Sequence, residues 1–192
     1  MVQITNVKVY ELEESIIASR NAMRTKLPDY TNHGELIESL ERAKKLCKSP
    51  SNSGHANFLT GIRVAFDITY PNYLSPELQR YHFLDIVCSS SKMHKLAGIV
   101  AQTSFNKYVK PGVIAMMQEL ADNFNKDQSY ENRMIMLSNC PQGIELFMRC
   151  NTNYMQLRNI YSQRKNHRLA EDWGAFCAMI EKLPFFQEFI NV

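Results

Sequence analysis

Apolar residues recur along this chain in two rhythms, one of strands and one of helices. Val2 and Ile4, then Val7 and Val9, alternate with polar neighbours, the period of a half-buried strand over residues 2–11. Ile62 to Tyr70 (IRVAFDITY) puts Val64, Phe66 and Ile68 on one face and is rich in the β-branched and aromatic residues that pleated surfaces favour. Ile144 to Cys150 (IELFMRC) predicts a further strand. The helical rhythm is plainest from Glu35 to Cys47. There Leu36, Ile37, Leu40, Ala43 and Leu46 form a stripe and Glu38, Glu41, Arg42, Lys44 and Lys45 lie outside it. Pro111 to Phe124 repeats the pattern with Val113, Ile114, Met116, Met117, Leu120 and Phe124, both methionines being predicted as core filler. Helix is also predicted for Glu14–Arg20, for Tyr130–Leu137, and around Leu157, Ile160 and Tyr161, then Trp173, Phe176 and Ile180. Residues 24–30 and 48–54 read as connections, and His55–Thr60 as a helical turn.

The stretch Ser75 to Lys95, SPELQRYHFLDIVCSSSKMHK, combines structure with candidate chemistry. Ser75 as a cap and Pro76 in the first turn predict a helix whose apolar face is Leu78, Tyr81 and Leu84, continued by Ile86 and Val87. A small-residue segment is expected after Lys95. The apolar run stops at Cys88-Ser89-Ser90-Ser91-Lys92, where hydroxyls run into a cation. Hydroxyls and backbone amides give directed hydrogen bonds and a lysine gives a compact charge, so this turn suits a phosphate or a sugar. An ordinary buried helix ending in a solvated loop accounts for the same local pattern.

A length of 192 residues fits one domain spanning 1–192, with no internal repeat or linker. Together the strands and helices predict an α+β fold, a mixed or antiparallel sheet packed with helices. The net charge, 22 − 19 = +3, does not by itself imply nucleic acid. Five cysteines without a C-x-x-C pair read as reduced, mostly structural thiols. The first residues lack the basic-then-apolar layout of a signal peptide, and no apolar run approaches a membrane span. A soluble, intracellular protein is expected. The five histidines, His33, His55, His82, His94 and His167, are scattered, so no metal site is predicted. No G-x-S-x-G, P-loop or G-x-G-x-x-G is present.

A second cluster lies between Asn153 and Asp172, where Arg158, Arg164, Lys165, His167 and Arg168 fall within about five turns. Arg164 follows Leu157 by two turns and so shares the apolar side of its helix. An arginine there needs an anion, and either a ligand or an internal carboxylate such as Asp67 or Asp85 satisfies it.

Taken together, these stretches resemble the flavin-dependent thymidylate synthase family over roughly residues 50–180. Gly54-His55 precede the strand bearing Phe66-Asp67-Ile68, and Arg80-Tyr81-His82 stands where the family has R-H-R. Ser90 and Lys92 follow at the spacing of the family's nucleotide-binding serine and arginine. Asn153, Leu157, Asn159 and Arg164 match the helix motif N-x-x-x-L-x-H/N-x-x-x-x-R, and Trp173 follows. The chain as a whole also resembles proteins of bacteriophage genomes, which implies the cytoplasm of a bacterial host. The resemblance implies a homotetramer with sites between subunits, FAD stacked near the pyrimidine of dUMP, a folate carbon donor and NADPH. It assigns Ser90, Lys92 and Arg164, with Ser89 and Ser91 beside them, to the nucleotide. His55, Arg80, His82, Asn153 and Asn159 fall to the flavin.

The chain also departs from the family pattern. Tyr81 and His82 replace the second and third motif residues, Lys92 replaces an arginine fork, and Thr60 and Cys88 stand at acidic positions. Leu137 and Met155 stand where arginines are expected. Two further readings therefore stand beside the enzyme: a nucleotide-sequestering protein on the same fold, and a nucleic-acid-binding module using the basic helix.

Overall fold

The computed structural model describes residues 1–50 and 53–190, so Ser51 and Asn52, within the expected 48–54 connection, lie outside it. Among the described residues the strands are β1 (Gln3–Tyr10), β2 (Arg63–Pro71), β3 (Asp85–Ser89) and β4 (Glu145–Asn153). They form an antiparallel sheet in the order β1-β2-β4-β3. The helices are α1 (Leu12–Ala18), α2 (His33–Cys47), α3 (Ser75–Leu78), α4 (Lys92–Ala101), α5 (Pro111–Lys126), α6 (Tyr130–Ser138), α7 (Tyr154–Arg164), α8 (Ala170–Glu181) and α9 (Phe186–Ile190). The expected α+β architecture with an antiparallel sheet is what the chain adopts.

Alternation along the central strands decides where the core sits. Val64, Phe66, Ile68 and Tyr70 of β2 and Leu146, Met148 and Cys150 of β4 are buried on one face. Ile16 and Ile17 of α1, Leu157 and Ile160 of α7, Trp173, Phe176 and Ile180 of α8, and Phe186 and Phe189 of α9 share that core. Phe66 meets Phe176 edge-to-face at 5.8 Å, and Phe176 meets Trp173 at 5.5 Å. Each such ring contributes about 1.5–3 kcal/mol by leaving water. The other face of the sheet carries Asp67, Arg149 and Phe147, in keeping with antiparallel sheets that solvate one side. A second cluster, Leu96, Val100, Met117, Ala121, Met136 and Ile144, joins α4, α5 and α6.

The structure departs from the expected elements in one region above all. The helix predicted from Ser75, with Leu78, Tyr81 and Leu84 on its apolar face, ends at Leu78, and Ser75 is its first residue rather than its cap, which is Leu74. Leu78, Tyr81 and Leu84 are buried as expected, but successive turns hold them: Tyr81 N–H donates to the Leu78 carbonyl and Leu84 N–H to that of Tyr81. Spacing of three fits such turns as well as it fits a helix. Ile86 and Val87 belong to β3, where β-branched side chains are favoured and β4 supplies the backbone partners. The segment after Lys95 is helix α4. Met117 is buried as predicted, whereas Met116 is exposed.

Candidate functional site

The serine turn forms the corner where β3 passes into α4. Ser89 closes the ladder opposite Met148, and Ser90 extends it. The Ser90 N–H donates to the Phe147 carbonyl at 2.8 Å, and the Phe147 N–H donates to Ser90 Oγ at 3.1 Å. Ser91 caps α4, its Oγ accepting from the His94 N–H at 3.4 Å. The first-turn amides of Lys92 and Met93 then have no partner within the helix and carry its positive end. Lys92 is half-buried, and its Nζ donates to Asn72 Oδ1 at 2.8 Å. Asn72 is fixed in turn through Nδ2 to Gln142 Oε1 at 2.7 Å. Ser89, Ser90, Ser91 and Lys92 are therefore brought together as one rigid corner. The hydroxyl hydrogens of Ser90 and Ser91 remain as donors, because their oxygens act as acceptors in these bonds.

Arg164, the last residue of α7, faces inward with its side chain 14% exposed. Its Nε donates to Tyr81 Oη at 2.7 Å, and its Nη1 lies 3.0 Å from Glu77 Oε2. The guanidinium lies 4.6 Å from the Trp173 ring centroid, a cation–π contact. Trp173 Nε1–H donates to the same Glu77 oxygen at 2.8 Å, and His167 Nε2 stands 3.9 Å from it. Tyr81 Oη in turn donates to Gln163 Oε1 at 3.1 Å. The internal carboxylate that Arg164 requires is thus Glu77. Asp67 pairs with Arg149 at 3.1 Å instead, and Asp85 lies on the exposed β3. The Asn6 amide and Arg149 hydrogen-bond to Asp67 and hold its carboxyl below the ordinary range.

The five residues assigned to a flavin come from three stretches of the chain: the turn after Gly54, the turn after α3, and the start and middle of α7. His55 is exposed after Gly54, whose φ of +73° suits a residue without a side chain. It lines a groove of about 420 Å³ with Ser15, Ser19, Asn57 and Thr60, between α1 and the turn 57–60. Arg80 and His82 are exposed on the turn between α3 and β3. Asn153 is buried as the cap of α7, its Oδ1 accepting from the Gln156 N–H at 2.9 Å. Asn159 is exposed along α7. The groove at His55 includes none of the other four.

Sequence reasoning missed Glu77, Tyr81 and Trp173 as one cluster around Arg164, and Asn72 with Gln142 around Lys92. Glu77 and Tyr81 stand on either side of the end of α3 at Leu78, so their spacing of four is not that of one helix face, and the local mark of the first cluster is Trp173, the only tryptophan. The second joins residues seventy positions apart and has no local signature.

Among the described residues no group of three His, Cys, Asp or Glu side chains is placed to hold a metal ion. No described helix is long and apolar enough to cross a membrane. The basic helix does not present a continuous free stripe: Arg158 donates to the Cys47 carbonyl at 3.0 Å, and Arg164 turns toward Glu77.

No protein-family model matches the chain, and no curated protein matches it. Solved structures do. The flavin-dependent thymidylate synthase of Helicobacter pylori, solved with FAD and dUMP, superposes with a TM-score of 0.72 at 14% identity, covering 97% of each chain. A second structure of that enzyme, at 2.31 Å resolution, covers 99% of this chain and 97% of its own, again at 14% identity and a TM-score of 0.72. A UMP/dUMP methylase of Streptomyces cacaoi, bound to 5-bromo-dUMP, superposes at 13% identity and a TM-score of 0.69, covering 100% of this chain and 94% of its own. This chain has the fold of the flavin-dependent thymidylate synthases, as the resemblance of its motifs to that family implies.

Proposed function

We propose that this protein binds a pyrimidine nucleotide of the dUMP class, with its phosphate at the corner formed by Ser89, Ser90, Ser91 and Lys92. The observation that carries this reading is the geometry of that corner. A capped helix start, two hydroxyl donors and a lysine fixed by Asn72 converge within four consecutive residues. Such a corner satisfies a phosphate with directed hydrogen bonds and a point charge. Two proteins that share the fold, each bound to a deoxyuridine nucleotide in its solved structure, support the choice of base.

The corresponding activity is one-carbon transfer to the pyrimidine, in which a bound flavin supplies the redox chemistry. A flavin site built from His55, Arg80, His82, Asn153 and Asn159 lies between copies in a homotetramer, as the family resemblance implies. A second reading, nucleotide binding without turnover, draws support from Tyr81. This residue stands at the middle motif position, yet it is buried and bonded to Arg164 rather than presented to a cofactor.

The test is the visible absorbance of the freshly purified protein, with mass spectrometry of whatever heating releases, followed by titration with dUMP. Flavin bands with released FAD support the enzyme, and a colourless protein that still binds dUMP supports the second reading. Lys92→Ala should weaken dUMP by about tenfold or more, the loss expected for a charge-assisted contact to phosphate. Unchanged affinity in that variant overturns the assignment of the corner.

A further inference from the structure

We infer that Asn72, itself fixed by Gln142, is a positioning residue for the phosphate contact: it holds the Lys92 ammonium at the β3–α4 corner without neutralising it. This rests on the nucleotide reading above and names a residue outside the corner on which the corner's charge depends.

A lysine brings one point charge on a flexible four-carbon stem, and nothing in the side chain itself directs it. Here the direction comes from the loop after β2. Lys92 Nζ donates to Asn72 Oδ1 at 2.8 Å, and Asn72 Nδ2 donates to Gln142 Oε1 at 2.7 Å. The order of donors is forced. An ammonium has no acceptor, so only the oxygen of the Asn72 amide can face Lys92, and the amide NH2 must then meet an acceptor. Gln142 supplies it with its own side-chain oxygen. The backbone keeps both partners in place. The Asn72 N–H donates to the Ile144 carbonyl at 2.9 Å, and the Tyr73 N–H donates to the Gln142 carbonyl at 3.1 Å. Ile144 is fully buried in the cluster that joins α4, α5 and α6, and α4 is the helix that begins at Lys92. The anchor and the cation therefore belong to one packed unit.

The hold has two consequences for an anion. The lysine stem is already ordered, so the rotamer freedom that a free lysine surrenders on binding is given up during folding instead. Asn72 is also neutral, and among the described residues no carboxylate pairs with Lys92. The remaining ammonium hydrogens and the whole positive charge stay available to a phosphate beside the Ser90 and Ser91 hydroxyls.

The experiment measures dissociation constants for dUMP and for deoxyuridine by titration calorimetry in phosphate-free buffer, with thermal melting to check the fold of every protein. The proteins are the wild type, Asn72→Ala, Asn72→Asp, Lys92→Ala and the double variant Asn72→Ala/Lys92→Ala. Asn72→Ala should weaken dUMP by about three- to tenfold, the loss expected when one long side chain must be ordered on binding, and leave deoxyuridine within about twofold. In the Lys92→Ala background the same substitution should change dUMP by less than about twofold, because the residue it positions is gone. Asn72→Asp keeps an acceptor for the lysine and cancels its charge. It should melt no lower than the wild type yet weaken dUMP by about tenfold or more. If Asn72→Ala weakens dUMP as much without Lys92 as with it, or weakens deoxyuridine equally, Asn72 serves only the loop and the inference is overturned. If Lys92→Ala weakens dUMP and neither Asn72 variant does, the inference is overturned and the nucleotide reading stands. If the folded wild type, free of bound nucleotide, binds neither ligand, the nucleotide reading has failed and the inference falls with it.

Discussion

The indole N–H of Trp173 donates at 2.8 Å to Glu77 Oε2, the same oxygen that lies 3.0 Å from Arg164 Nη1. One carboxylate atom thereby ties the first turn of α8, the end of α7 and the short α3 together. The arrangement explains why an arginine is tolerated on the apolar side of α7. Its charge is matched, its Nε is bonded to Tyr81, and its face is covered by the indole.

Glu77→Ala should therefore destabilise the protein more than Glu77→Gln does. Alanine leaves both the Trp173 N–H and the Arg164 guanidinium without their partner, at a cost of about 1–3 kcal/mol. Glutamine keeps the Trp173 bond. Urea denaturation followed by circular dichroism measures both, and equal midpoints for the two variants contradict the shared-oxygen arrangement.

Asn153→Ala should cost about 0.5–2 kcal/mol, the usual loss of a helix cap, since Oδ1 accepts from the Gln156 N–H at 2.9 Å. Thermal melting reads the change. Asn153→Asp, which keeps the acceptor, should restore most of it.

Thiol reactivity should be strongly uneven. Cys88 is exposed on β3, whereas Cys47, Cys150 and Cys177 are buried. Burial pushes the thiols of Cys47 and Cys177 up to about 11 and that of Cys150 up to about 12. Near pH 8 a thiol-specific chromogen should label Cys88 first and the three buried thiols only after denaturant is added. Rapid labelling of Cys150 in the native protein would falsify its placement.

The same three thiols set a direction for alkaline stability. Their folded pKa values lie above the ordinary 9.0, so the unfolded chain ionises first and binds fewer protons. Stability from this source is fully present below pH 9 and is lost as pH rises from 9 toward 11 or 12. Each thiol contributes up to about 1.4 kcal/mol per pH unit in that window. Urea midpoints at pH 8 and pH 10 test this, and Cys150→Ala should flatten the slope.

Much of this fold was legible in the chain because its strands and long helices carry unambiguous rhythms. Val64, Phe66 and Ile68 alternate, and the stripe of α2 recurs at three and four. The region after Ser75 was not legible, because Leu78, Tyr81 and Leu84 are spaced by three, which two successive turns satisfy as readily as a helix does. Arg164 shows the same limit within the candidate site. Its position on the apolar side of α7 told that it needs an anion, but Glu77 lies far away in sequence and only the fold brings it near. Lys92 likewise read as a free cation, and its tie to Asn72 depends on the loop that follows β2.

The measurement that bears most directly on function is calorimetric titration of the purified wild-type protein with dUMP in phosphate-free buffer. Saturable binding of one dUMP per chain, lost or weakened about tenfold or more in Lys92→Ala, is the expected result. A protein that stays folded and releases no heat with dUMP at millimolar concentration, with no nucleotide already bound, contradicts nucleotide binding at the β3–α4 corner.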